Sequence, residues 1–175
     1  MQKKYIKILV DTDQLIDFFK GDASWGTADK PLIADDFCKI DAPDIHWEGN
    51  KILPLEPATD YIVTLESSSS TNKVVLYDAL TEEVNGQVFM DMITPTITKL
   101  KEWGKVFDLS RTNYEVTLDG HMILKPTKDK VFNVPTPEKI NLHNNIFYKI
   151  LFRIDGADKM AVIDPLIRVR TDDPE

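Results

Sequence analysis

The chain has 175 residues, 42% of them hydrophobic, which suits one domain with an apolar core that needs neither crosslinks nor a structural metal. Its 29 acidic residues against 21 Lys and Arg give a formal charge of -8; a phosphate backbone demands a basic stripe, so nucleic acid is disfavoured as a partner. The single cysteine, Cys38, excludes an intramolecular disulfide and sits in no metal-binding spacing, which fits a reducing, cytoplasmic setting.

Taken in chain order, the segment MQKKYIKILV predicts a strand over Ile6–Val10. Lys7 interrupts its apolar run and Asp11 ends it before a signal-peptide core can form. No stretch approaches the roughly 18 apolar residues that cross a bilayer, so a chain that is neither exported nor membrane-spanning is expected. Asp13–Lys20 reads as two helical turns closed by Gly21, and Phe37–Ile40 as a strand. Tyr61, Val63 and Leu65 alternate, Ser67–Asn72 is polar, and Val74–Tyr77 resumes with β-branched and aromatic residues, which predicts a hairpin.

Gln87–Ile93 is a further strand candidate. Pro95–Trp103 predicts a short helix with Thr94 as N-cap, Pro95 at the first position and Gly104 as terminator. Asn113–Asp119 alternates clearly, with Tyr114, Val116 and Leu118 on one face, and His121–Leu124 follows. Ile146, Tyr148, Ile150, Phe152 and Ile154 repeat the pattern with Lys149 and Arg153 opposite. Asp155-Gly156 then turns the chain into an apolar run through Met160 and Val162, a second hairpin. Leu166–Val169 closes the series. About eight short strands with one or two short helices predict an all-β fold, an antiparallel β-sandwich of jelly-roll or immunoglobulin-like type over residues 1–170, with a disordered acidic tail at 171–175.

Chemistry is suggested at one place. Ile8-Leu9-Val10-Asp11-Thr12-Asp13, continuing to Asp17, resembles the opening of a PIN-domain ribonuclease, where an apolar strand delivers a carboxylate to a magnesium site. It is also similar to the start of phosphoryl-transfer hydrolases, with Asp11 as nucleophile and Asp13 as acid/base. A metal nuclease needs three or four converging carboxylates in an alternating α/β chain, and the strand-turn-strand pattern after residue 30 does not supply that frame. The simpler reading makes Asp11 and Asp13 the end of an edge strand, with Asp13 capping the helix.

His46, His121 and His143 lie in no catalytic or zinc-binding spacing, and no metal, cofactor or catalytic residue is assigned. Trp25, His46, Trp47 and Glu48 suggest a groove for a sugar or flat ligand, although core packing of the tryptophans is the commoner outcome. Arg168 and Arg170 alternate with Ile167 and Val169 and read as a solvated strand face.

Three segments carry a family resemblance: Ile8-Leu9-Val10-Asp11-Thr12 with its short helix, Asp60–Asp78 ending in Val75-Leu76-Tyr77-Asp78, and Ile163-Asp164-Pro165-Leu166-Ile167-Arg168-Val169. In order and spacing the chain resembles the bacterial inclusion body protein family of the PixA and AidA type. That resemblance implies a compact β-sandwich of the bacterial cytoplasm, packed into inclusions in some members, with no catalytic residues. The expected function is therefore non-enzymatic. It is self-association as a homo-oligomer, or binding of a small molecule or glycan, with neither nucleic acid nor membrane as partner. Two rivals are a magnesium-dependent nuclease or phosphohydrolase using Asp11, Asp13 and Asp17, and a structural subunit of a larger assembly.

Overall fold

The computed structural model describes residues 1–27, 30–49, 51–68, 74–75, 88–92, 99–116, 122–129, 131–141, 145–154, 159–163 and 167–171. In chain order the elements are β1 (Gln2–Val10), α1 (Thr12–Gly21), β2 (Leu32–Ile33), β3 (Cys38–Asp41), β4 (Ile52–Pro54), β5 (Thr59–Ser67), β6 (Val74–Val75) and β7 (Val88–Met92). They continue with α2 (Lys99–Val106), β8 (Tyr114–Val116), β9 (Met122–Leu124), β10 (Phe132–Pro135), β11 (Asn145–Ile154), β12 (Lys159–Ile163) and β13 (Arg168–Arg170). Single 3₁₀ turns occupy Asp35–Phe37 and Leu109–Arg111. The chain is mostly strand with few helices, as its alternating pattern predicts.

Alternation decides the long strands. On β11, Ile146, Tyr148, Ile150, Phe152 and Ile154 are all buried while Lys149 is exposed, so the period of two in the sequence is the period of burial. On β1 the same parity buries Ile6, Ile8 and Val10 and leaves Tyr5 exposed. The expected hairpin of β11 and β12 forms, with Ile150 opposite Ile163 and Ile154 opposite Lys159; its turn at 155–158 lies outside the described residues.

The sheets are mixed, which corrects the all-antiparallel expectation. One has four strands in the order β10-β5-β1-β3, and β1 runs parallel to β5 over their whole length, from Gln2 opposite Thr59 to Val10 opposite Ser67. The connection from Asp11 to Ala58, α1 included, is ample for the crossover that parallel strands require. The other sheet has nine strands, six of them on the path β2-β12-β11-β7-β9-β8. Within it, β13 pairs with β11 and β4, β6 pairs with β11, and the β12–β2 and β13–β4 pairs are parallel.

Two further expectations change. β1 is not an edge strand, because β5 and β3 flank it on both sides. The expected β5–β6 hairpin does not form: Val74 and Val75 pair with Ile154 and Arg153 of β11, so the chain passes from one sheet to the other between them. A run of β-branched residues marks a strand without naming its partner.

The helices differ at their ends. α1 runs through Gly21, and its last turn is closed by the N–H of Asp22 donating to the Phe18 carbonyl at 3.0 Å. α2 continues past Gly104 to Val106, because Trp103, Val106 and the following Phe107 are buried and Trp103 stacks on Phe107 at 6.0 Å. Thr94 and Pro95 lie outside the described residues. Side chains of both sheets and both helices join one apolar cluster, and among the described residues no helix is long and apolar enough to cross a membrane.

Candidate functional site

The N-terminal carboxylates do not converge. Asp11 donates its N–H to the Phe37 carbonyl at 2.8 Å and accepts the Gln14 N–H on its carboxylate at 3.1 Å. It is the N-cap of α1, in place of Asp13, and so satisfies a donor that the first helical turn leaves open. Asp13 sits exposed in that first turn, where the helix dipole favours negative charge, and Asp17 makes an exposed pair with Lys20 at 3.5 Å. Among the described residues no group of three or more His, Cys, Asp or Glu is placed to hold a metal ion. Replacing Asp11 by alanine is expected to cost about 1 kcal/mol in urea unfolding, and by asparagine much less, since asparagine caps equally well.

The tryptophan groove is not assembled either. Trp25 belongs to the turn held by Lys159, whose Nζ donates to the Trp25 carbonyl at 3.0 Å; Lys30 lies 4.0 Å above its ring. Trp47 precedes Glu48, which pairs with Arg170. Lys159 stands opposite Ile154 and Arg170 opposite Asn145, the two ends of β11, so the two clusters are roughly 30 Å apart along the strand. Both rings pack half-buried against the core, and His46 is exposed. Arg170 is thus an ion-pair partner, not a purely solvated residue. The side chain of Arg168, and His121 and His143, lie outside what is described.

Cys38 is buried on β3, and burial, reinforced by the nearby Asp35 charge, pushes its thiol up to about 12. It is a packing residue at neutral pH, because the thiolate is the reactive form.

The sequence reading missed two features. The first is Lys4, which is 5% exposed and stands beside Tyr61 on the face of the four-stranded sheet that looks inward. Its ammonium pairs with Glu56, while the Glu56 N–H donates to the Tyr61 hydroxyl at 2.9 Å and the Glu56 carbonyl accepts from Thr136 Oγ1 at 2.6 Å. Losing Glu56 strands a buried charge. Glu56→Ala is expected to cost about 1–3 kcal/mol, moderated because Glu56 is partly exposed, and the double change Lys4→Met/Glu56→Ala to cost less than the single one in urea unfolding.

The second is the contrast among the sheet edges. β3 exposes Lys39 and Asp41, β10 ends in Pro135, and β8 exposes Glu115, paired with Lys125 at 3.0 Å; charge and proline are the usual devices against edge pairing. β2 has neither. Its Ile33 is 56% exposed, and because the Ala34 N–H donates to Val162 at 2.9 Å, the adjacent Ile33 N–H points away from β12. Phe18, 38% exposed, contacts Phe37 edge-on at 6.2 Å. Phe37 follows Ile33 by four residues, at most about 14 Å of chain.

Between the sheets lies a partly open apolar cavity of about 60 Å³. Ile6, Ile8, Tyr61, Val63, Phe132 and Val134 line it from the four-stranded sheet, and Leu124, Tyr148, Ile150 and Val169 from the other. Burial pushes the Tyr61 hydroxyl up to about 12.

No family model matches the chain, and no curated protein matches it. Among solved structures, the crystal structure of an inclusion body protein, PixA, from Burkholderia cenocepacia J2315 is similar at 11% identity and a TM-score of 0.46, over 98% of this chain and 96% of that one. Similarity at this level transfers no residue role.

Proposed function

We propose that this protein acts without catalysis, by weak self-association of an all-β body through the β2 edge. Its two sheets would face one another as a sandwich of jelly-roll or immunoglobulin-like type; the cavity walled from both sheets supports that arrangement. The observation that carries the functional reading is Ile33. It is a large apolar side chain exposed on an end strand whose two residues lack the charge or proline found on β3, β8 and β10.

A two-residue strand can add few hydrogen bonds to a second copy, so each contact is weak and mass action at high concentration drives assembly. Phe18 packs edge-on against Phe37, which follows Ile33 by four residues. Such behaviour suits an abundant cytoplasmic protein of inclusion-body type, or a tile in a larger assembly.

Light scattering across a concentration series tests it. The wild type is expected to exceed its monomer mass at high concentration. Ile33→Lys should weaken that association at least tenfold, and Lys39→Glu on the charged β3 edge should leave it unchanged. A monomeric wild type throughout, or an Ile33→Lys variant that associates equally well, would overturn the proposal.

A further inference from the structure

The cavity between the sheets raises a separate possibility, independent of self-association. A single water needs about 10–15 Å³ and two to four polar partners, whereas an apolar void of about 150 Å³ stays dry and admits benzene. Here the volume is about 60 Å³, room for more than a water and less than an aromatic ring. The wall is aliphatic and aromatic, and its two polar atoms are turned to the backbone: the Tyr61 hydroxyl accepts the Glu56 N–H at 2.9 Å and the Tyr148 hydroxyl accepts the Ile167 N–H at 3.0 Å. Water would find too few partners there, while an apolar guest regains dispersion contacts that the void forfeits.

From this geometry we infer that the space between Ile6, Ile8, Val134 and Ile150 is a binding site for a small apolar molecule of one to a few heavy atoms. The wall offers a sugar nothing to hydrogen-bond, so the site selects by size and apolarity.

Methyl-labelled protein examined by NMR under xenon, cyclopropane and, as a polar molecule of similar size, acetamide provides the test. Xenon and cyclopropane are expected to shift the methyl signals of Ile6, Ile8, Leu124 and Ile150 saturably, and acetamide to leave them in place. Val134→Ile, which fills the void, should weaken xenon binding at least tenfold, and Ile150→Val, which enlarges it, should strengthen binding. Both are single-methylene changes that a core tolerates. Wild-type methyls that do not respond to xenon, or shifts that persist undiminished in Val134→Ile, would overturn the assignment. So would acetamide shifting the same methyls.

Discussion

Truncating Phe152 to alanine is expected to destabilise the protein by about 3–5 kcal/mol, the largest effect of any single change considered. Phe152 is fully buried in the C-terminal half of the strand that organises the nine-stranded sheet: β11 pairs with β12 and β13 along one edge and with β6 and β7 along the other. Its ring stands in register with Ala161 of β12, a small neighbour that cannot expand into the space the ring vacates. Loss of transfer energy and a cavity therefore add. For a chain of this size the melting temperature should fall by roughly ten degrees or more. Urea unfolding gives the free energy directly, and a loss under about 1 kcal/mol would mean that β11 is not the packed centre described.

Gly26→Ala is expected to cost about 2–5 kcal/mol. Gly26 has φ +85°, a conformation that costs an L residue roughly 1–2 kcal/mol. A methyl group there would also lie 2.8 Å from Phe19 Cε1 and 2.8 Å from Lys159 Cδ. The lysine chain can swing aside, but Phe19 is 5% exposed and packed in the core, so overpacking adds about 1–3 kcal/mol. The same glycine accepts the Met160 N–H on its carbonyl at 2.8 Å, which fastens the turn after α1 to β12. Gly21→Ala serves as the contrast: its added methyl meets nothing within 4 Å and it lies in helix, so it should leave stability unchanged or slightly raised. Thermal unfolding of the two variants side by side checks both.

What the sequence revealed, and what it concealed, follows from the range of each signal. Burial parity is local, and so β11, β1 and the body of β5 were legible from their own residues. Pairing is not local. Nothing in Val74-Val75 says that it joins Ile154 of β11 instead of turning back on β5, and nothing in Ile6–Val10 says that its long neighbour runs parallel. β2, β4 and β10 are too short to show alternation, and two of them end in proline, which argues against strand in a sequence reading.

The site residues divide in the same way. Asp11 was conspicuous as an acidic residue after an apolar strand, yet that position serves a helix cap as well as a metal, and only the Gln14 N–H distinguishes them. Lys4 shares the parity of Ile6, Ile8 and Val10, a signal of burial hidden by its charged neighbours Lys3 and Lys7. Ile33 had no sequence signal, since the short run Pro31–Ala34 between Lys30 and Asp35 looks like a loop until β12 is placed beside it.

The claim that the β2 edge is the surface of self-association is tested most directly by amide hydrogen exchange at Ile33 as a function of protein concentration. Its outward N–H should exchange at least tenfold more slowly at the concentration where light scattering shows association than in dilute solution, with no matching change along β3. An Ile33 exchange rate that is the same at every concentration, or protection that appears on β3 instead, would contradict it.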